Sequence, residues 1–118
     1  MKTTSSSRCL ALLILFSLVL AGCGTTTTVR LTGTPGTHVT GRYQADHVSS
    51  DFAGTAGWKM DFDGRRLEEF EFRKTTLEHS VDLDIHQGRK RMVHATADPG
   101  VRGLRVRSEG GWRVETLK

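Results

Sequence analysis

The residue with the most distinctive chemistry is Cys23, a thiol at the end of a short apolar segment. It closes the stretch Leu20-Ala21-Gly22-Cys23. The small side chains of Ala21 and Gly22 allow an extended backbone to enter a peptidase site, and a cysteine sulfur is the atom that can be alkylated to a thioether. Small residues at the end of such a segment are typical of a signal cleavage site.

The segment before Cys23 has the composition of an export signal. Lys2 and Arg8 are the only charged residues before an almost uninterrupted apolar run from Cys9 to Leu20. A basic start followed by a short apolar run is typical of a signal peptide. The run is shorter than the roughly 20 apolar residues that a membrane-spanning helix needs, so residues 1–22 are predicted to be a signal that is removed.

The residues Leu20, Ala21, Gly22 and Cys23 resemble the lipobox of bacterial lipoproteins at all four positions. The resemblance implies cleavage between Gly22 and Cys23, with acyl chains on the sulfur and on the new amino terminus of Cys23. Two or three acyl chains anchor a protein stably. The alternative is an ordinary secretory signal in which the cysteine is incidental. If the organism has two membranes, the absence of an aspartate at Gly24 favours the periplasmic face of the outer membrane.

The expected organisation is a signal peptide (1–22), a lipidated cysteine with a Thr-rich tether (23–28), and one domain (29–118). Removal of residues 1–22 from the 118-residue chain leaves 96 residues, the size of one small domain. Cys9 leaves with the signal, so the domain has no cysteine for a disulfide or a metal site. Two of the 17 basic residues leave too, and 15 basic against 13 acidic side chains do not indicate nucleic-acid binding.

Polar and apolar residues alternate throughout the mature chain, and turn dipeptides separate the alternating segments, which predicts strands and no helix. Asp63-Gly64 is typical of a two-residue hairpin turn and would pair Met60 with Leu67. Continued pairing requires one extra residue near Glu68-Glu69, so a β-bulge is predicted there. The bulge places three apolar residues on one face, namely Leu67, Phe70 and Phe72.

Two further hairpins are predicted at Gln87-Gly88 and at Glu109-Gly110-Gly111. The expected cross-strand partners are Leu83 with Met92, Asp84 with Arg91, Val106 with Val114 and Leu104 with Thr116. Pro35-Gly36 and Asp98-Pro99-Gly100 predict turns. The segment Gln44–Ala53 is expected to be the longest polar loop and the most mobile one.

About eight short antiparallel strands, each with one apolar face, must bury those faces against one another. The fold class is therefore all-β, with a small antiparallel β-sandwich as the first choice and a small up-and-down β-barrel as the alternative. The predicted core consists of Leu31, Val39, Tyr43, Trp58, Met60, Phe62, Phe70, Phe72, Val81, Leu83, Ile85, Met92, Leu104, Val106, Trp112 and Val114.

The start of the domain resembles a second family. The lipobox, the Thr-rich spacer and the segments Val29–Thr34 and Val39–Tyr43 are similar to the small mycobacterial membrane proteins that accompany lipid-exporting transporters. The resemblance implies an immunoglobulin-like β-sandwich and a transport-accessory role. This chain departs from the pattern because it lacks a cysteine pair and has a lipobox where that family usually has a membrane helix.

Candidate metal and catalytic groups do not converge in the sequence. Asp82, Asp84 and His86 share one strand face, where hard oxygen and imidazole ligands could bind a metal, but the predicted hairpin sets Arg91 opposite Asp84. His94 is expected on the buried side, opposite Val81. No serine has a partner histidine on the same strand face. The expectation is therefore no catalytic residue, no metal, no cofactor and no enzymatic activity.

The most distinctive surface feature is basic. Arg105, Arg107 and Arg113 are predicted to share an outer face, with Arg102 nearby and Arg89–Arg91 on another hairpin. Arg107 opposite Arg113 is a like-charge pair, which costs stability unless an anion or a carboxylate lies between the two.

Two functions follow from these residues. The first is a non-enzymatic, lipid-anchored envelope protein that interacts with another envelope protein or a transporter. The second is a binding protein for an anionic envelope lipid or glycan, through the face of Arg105, Arg107 and Arg113. Glu109 and Glu115 are near enough in sequence to neutralise that face, which leaves an ordinary mixed-charge surface as the alternative.

Overall fold

The computed structural model describes residues 26–118, which form nine strands and no helix. In chain order they are β1 (Thr26–Gly33), β2 (His38–Ala45), β3 (Val48–Thr55), β4 (Trp58–Asp63), β5 (Leu67–Lys74), β6 (Val81–Gln87), β7 (Lys90–Ala97), β8 (Gly103–Arg107) and β9 (Arg113–Leu117). Within this range no helix meets the length and apolarity of a membrane span. The signal-peptide motif and Cys23 lie outside the described residues.

The strands form two antiparallel sheets that pack face to face. One sheet has four strands in the order β4-β1-β6-β7, and the other has five in the order β3-β2-β5-β8-β9. This arrangement confirms the small β-sandwich and not the closed barrel, with nine strands where about eight were predicted. β1 begins at Thr26, three residues before the predicted first strand.

The core lies between the inner faces of the two sheets and is centred on aromatic rings. Phe70 is fully buried, and its ring centroid lies 5.2 Å from that of Phe52 and 5.9 Å from that of Trp58. Phe52 reaches this cluster from the edge strand β3 because Gly41 carries no side chain: a Cβ there would meet the Phe52 ring at 2.5 Å. Burial of such large side chains supplies most of the stabilisation of a domain this small.

Ten of the sixteen predicted core residues are buried, and five more pack partly buried against them. Val114 is the exception, because 44% of its surface is exposed. Val114 lies in β9, which is an edge strand of the five-stranded sheet. The prediction missed several buried residues, namely Val29, Ala45, Val93 and Ala97.

The predicted hairpin at Asp63-Gly64 is wrong. β4 pairs with β1, and β5 pairs with β2 and β8, so the turn connects two sheets instead of two neighbouring strands. Hydroxyl groups of β1 stabilise this alternative pairing. The hydroxyl of Thr26 donates to Asp63 at 2.9 Å, and that of Thr28 donates to Asp61 at 2.8 Å.

The β-bulge in β5 is present at the predicted position. Gln44 pairs with Glu69 and Ala45 pairs with Leu67, which leaves Glu68 as the extra residue. The partner strand is β2, whereas the prediction paired this segment with β4. Leu67 before the bulge and Phe70 and Phe72 after it are all buried, as predicted.

The β6–β7 hairpin exists, but its predicted register is wrong. Gln87 pairs with Lys90, and one extra residue, Met92, is accommodated before Ile85 pairs with Val93. This bulge turns His94 outward, opposite Asp84, instead of inward opposite Val81. The three predicted inward residues of β6 are nevertheless fully buried, namely Val81, Leu83 and Ile85.

The remaining turns are mostly as expected. β8 and β9 pair Val106 with Val114, and Leu104 with Thr116, as predicted. Gly36 and Gly100 adopt positive φ angles in turns, although the turn at Gly36 connects the two sheets.

The segment Gln44–Ala53 is not a loop. β2 and β3 are joined by the two residues Asp46 and His47, both with positive φ, and the strands pair over their full length. Sequence reasoning missed this turn because it contains no glycine, which is the usual residue at positive φ. The backbone N–H of Asp46 donates to the carbonyl of Arg66 at 3.0 Å, and that of His47 donates to the Glu68 carboxylate at 3.0 Å.

A buried lysine holds together the end of the sandwich at which β1 finishes. Only 5% of Lys74 is exposed, and its ammonium group lies among four backbone carbonyls. The Nζ–O distances are 2.6 Å to His79, 2.9 Å to Asp98, 3.1 Å to Leu77 and 3.4 Å to Ala97. Burial lowers the pKa of Lys74, while the charges of Asp98 and Glu78 act in the opposite direction. The ammonium thereby links the β5–β6 and β7–β8 loops.

We expect Lys74→Met to lower the free energy of unfolding by about 1–3 kcal/mol, because the buried carbonyls lose their donor while the apolar stem is retained. The matched control is Lys59→Met, since Lys59 is an exposed lysine in β4. Urea denaturation of both variants measures the difference. Equal midpoints for Lys74→Met, Lys59→Met and the unchanged protein would show that the carbonyl cluster does not stabilise the fold.

Candidate functional site

Most of the charged side chains of the five-stranded sheet lie on its outer face. Because side chains alternate along a strand, the residues of five neighbouring strands that carry these charges point away from the core together. We call this surface the charged face. It consists of Arg42, Asp51, Glu69, Glu71, Arg73, Arg105, Arg107, Arg113 and Glu115.

One row of the charged face alternates in sign across all five strands. The register sets Asp51 opposite Arg42, Arg42 opposite Glu71, Glu71 opposite Arg105, and Arg105 opposite Glu115. Opposite charges on directly paired residues stabilise a sheet, whereas like charges destabilise it. Each directly paired couple in this row therefore combines opposite charges, which stabilises the pairing of the five strands.

Arg105 is the centre of this row. Its Nε lies 3.0 Å from a carboxylate oxygen of Glu71 and 3.6 Å from one of Glu69, and its Nη1 lies 3.6 Å from Glu115. The hydrogen bond to Glu71 and the charge of Glu71 raise the pKa of Arg105. The guanidinium group of Arg105 is thus occupied by carboxylates of the same chain.

The neighbouring row contains the predicted like-charge pair. Arg107 stands opposite Arg113, and Arg107 also lies 3.7 Å from Glu115 and 4.0 Å from Glu69. Glu115 therefore neutralises part of this surface, as the sequence suggested, whereas Glu109 forms no ion pair within residues 26–118. Arg105, Arg107 and Arg113 do share one face, but only Arg113 has no carboxylate partner among the described residues.

The charged face is shallow and polar. A depression of about 230 Å³ lies over its middle and is lined by Tyr43, Gln44, Ser49 and several of the charged residues. The described side chains that line this depression offer hydrogen-bonding groups and charges of both signs. Such a surface supports non-covalent contact.

The outer face of the four-stranded sheet contains the candidate metal ligands. Asp84 contacts Nδ1 of His94 at 2.7 Å and Nε of Arg91 at 3.5 Å. Asp82 accepts a hydrogen bond from the hydroxyl of Thr96 at 2.7 Å. Within residues 26–118 no three such groups come together to hold a metal ion. These carboxylates therefore serve as partners for neighbouring side chains.

Four exposed basic residues lie in two turns at one end of the four-stranded sheet. Arg65 and Arg66 lie in the β4–β5 turn, and Arg89 and Lys90 lie at the β6–β7 turn. We call them the basic end. None of the four forms an ion pair with a carboxylate of residues 26–118.

The basic end surrounds the start of β1. Thr26 pairs with Asp63 on one side, and its carbonyl accepts a hydrogen bond from the backbone of Gly88 at 2.9 Å on the other. A groove of about 410 Å³ beside it is lined by Arg65, Arg66 and Trp112, among other residues. This site was not predicted from the sequence, because Arg65 and Arg66 lie in the segment that was assigned to the Asp63-Gly64 hairpin. The adjacent pair of arginines next to a turn was the available signal.

We expect Arg105→Gln to lower the free energy of unfolding by about 1–2 kcal/mol, because Glu71 loses its charged hydrogen-bond donor and Glu69 and Glu115 keep only their longer contacts with Arg107. The control is Arg42→Gln, whose ion pair with Asp51 is 3.4 Å long and largely exposed, and whose loss is expected to cost under about 0.5 kcal/mol. Thermal unfolding at low and high salt measures both. If Arg105→Gln proves as stable as Arg42→Gln, the central position of Arg105 has no energetic consequence.

Comparison with known proteins gives the chain no relatives from which a function could be transferred. No protein-family model matches it, and no curated protein and no solved structure matches it either. The function must therefore be inferred from the residues and their arrangement.

Proposed function

We propose that this protein is a lipid-anchored lipoprotein of the cell envelope whose β-sandwich acts by non-covalent contact with another envelope component. Cys23 is the anchor, and residues 1–22 are the signal that directs the chain out of the cell. The observation that carries the proposal is the complete lipobox at Leu20–Cys23, directly after a basic start and a short apolar run.

The spacing between Cys23 and the domain supports a role close to the membrane. Only Gly24 and Thr25 separate Cys23 from Thr26, where β1 begins. The three residue steps from Cys23 to Thr26 can span at most about 10 Å. An acylated Cys23 would therefore hold the end of the sandwich at which β1 starts within reach of the membrane surface, while the opposite end points away from it.

The surface chemistry favours contact over catalysis. The carboxylates of both outer faces are hydrogen bonded or paired with cations, and the described depressions are shallow. A sandwich of this size uses its interior for packing, and its largest side chains fill that interior. The exposed strands, turns and charged face are the surfaces available to a partner.

The resemblance to transporter-accessory proteins makes a transport partner one form of this proposal. The second candidate, binding of an anionic lipid or glycan by Arg105, Arg107 and Arg113, is less favoured. Arg105 and Arg107 are occupied by Glu69, Glu71 and Glu115, so an external anion would have to displace them.

We expect cells supplied with labelled palmitate to incorporate the label into this protein. A thioether and an amide at Cys23 are the attachment points that the lipobox implies, so Cys23→Ser should lose the label completely. Electrophoresis and fluorography of the purified protein measure the incorporation. The control is Cys9→Ser, which changes the other cysteine of the chain and should leave the labelling unchanged. Equal labelling of Cys23→Ser and the unchanged protein would refute lipid attachment at this residue.

A further inference from the structure

The basic end is distinctive because four exposed cations without a carboxylate partner in residues 26–118 lie at one end of the four-stranded sheet. Exposed cations elsewhere, such as Arg30, Lys59 and Arg102, also lack such a partner, but they are not part of this group. Nearly all arginines of the charged face contact at least one carboxylate, and Arg91 contacts Asp84. Arg65, Arg66, Arg89 and Lys90 are exposed and form no such contact within residues 26–118. Unpaired cations gathered at one place indicate an external anionic partner.

Their position relative to the chain start is equally specific. β1 lies between β4 and β6, so the β4–β5 turn flanks the start of β1 on one side and the β6–β7 turn flanks it on the other. Thr26 is bonded to both, through Asp63 and Gly88. Thr26, the first described residue, therefore lies between the two basic turns.

The acidic groups near this end lie mainly on the five-stranded sheet, where Glu68 and Glu109 line a depression together with Arg66. Asp63 accepts the hydroxyl proton of Thr26, and Asp46 accepts the backbone N–H of Arg66 at 3.0 Å. Asp46 lies in the β2–β3 turn and Glu109 in the β8–β9 loop, both on the five-stranded sheet. At the end of the four-stranded sheet, Asp63 is the only acidic residue of the two turns that hold the basic end.

We propose that the basic end binds the anionic headgroups of the membrane in which Cys23 is anchored, and so sets the orientation of the sandwich on that membrane. This inference rests on the proposed lipid anchor, since the anchor brings the end of β1 to the surface. Each cation near an anionic membrane surface contributes about 1 kcal/mol, which corresponds to roughly fivefold in the population of the bound orientation. The contact weakens as salt screens it.

Trp112 and Trp58 provide natural reporters for this contact. Trp112 lines the groove beside Arg65 and Arg66, whereas Trp58 begins β4, which ends at Asp63. Five residue steps of about 3.3 Å separate the two ends of β4, so Trp58 lies about 17 Å farther from the basic end. A short-range quencher in the lipid headgroup layer therefore discriminates between the two indole rings.

The test uses the full protein, purified from membranes and reconstituted into vesicles of phosphatidylcholine with or without phosphatidylglycerol, each containing a nitroxide-labelled headgroup lipid. Trp58→Phe leaves Trp112 as the single reporter, and Trp112→Phe leaves Trp58. We expect phosphatidylglycerol to increase the quenching of Trp112 severalfold at low salt and to leave Trp58 nearly unchanged.

The variant Arg65→Gln/Arg66→Gln/Arg89→Gln/Lys90→Gln should abolish the increase. The matched control removes four exposed cations elsewhere, namely Arg30, Lys59, Arg102 and Lys118, by substitution with Gln. Its quenching should equal that of the unchanged protein. Equal loss in both quadruple variants, or equal quenching of Trp112 in neutral and anionic vesicles, would overturn the proposal.

The mass of the same purified protein separates this inference from the proposed anchor. An acylated chain whose Trp112 does not respond to phosphatidylglycerol keeps the anchor and refutes the headgroup contact. A chain without acyl mass refutes the anchor. The unacylated chain can still be tested by sedimentation with vesicles. If it sediments with anionic but not with neutral vesicles, and the basic-end variant sediments with neither, the headgroup contact is supported although the anchor is refuted.

Discussion

The pairing of β1 on both of its edges is the constraint on which the arrangement depends. β1 is an interior strand that bonds β4 on one side and β6 on the other, and its apolar residues Val29 and Leu31 are fully buried. Because this pairing begins at Thr26, the chain is fixed two residues after Gly24. If Cys23 carries the proposed lipid, the short spacer brings the end of the sandwich at which β1 starts towards the membrane. The charge of that end comes from the turns beside β1.

The charged face and the basic end differ in how their charges are paired. On the charged face, alternating residues of five strands satisfy one another, and Arg105 with Glu71 is the shortest ion pair there. At the basic end, four cations have no such partner within the described part of the chain. Charges that satisfy one another stabilise the sheet, whereas unsatisfied ones are available to another molecule. The proposed orientation of the protein follows from this contrast.

Local features of the fold were predictable from the sequence, whereas the long-range pairing was not. The alternation of polar and apolar residues correctly predicted the buried faces of β5 and β6. The three-residue loop at Glu109–Gly111 correctly predicted the register between β8 and β9. The partner of β4 was missed because it depends on Thr26 and Thr28, which are distant in sequence and bind Asp63 and Asp61. The bulge at Met92, which turned His94 outward, carries no turn residue to reveal it. The arginine face was located correctly, but its neutralisation by Glu69 and Glu71 required the β5–β8 pairing.

Lipid attachment at Cys23 is the central claim, because the proposed cell-envelope location and the proposed orientation both depend on it. Mass spectrometry of the amino-terminal peptide of the mature protein tests it most directly. The account predicts a peptide that begins at Cys23 and carries the mass of a diacylglyceryl group, with or without a further acyl chain on its amino group. A mature peptide that begins elsewhere, or that begins at an unmodified Cys23, would contradict the account.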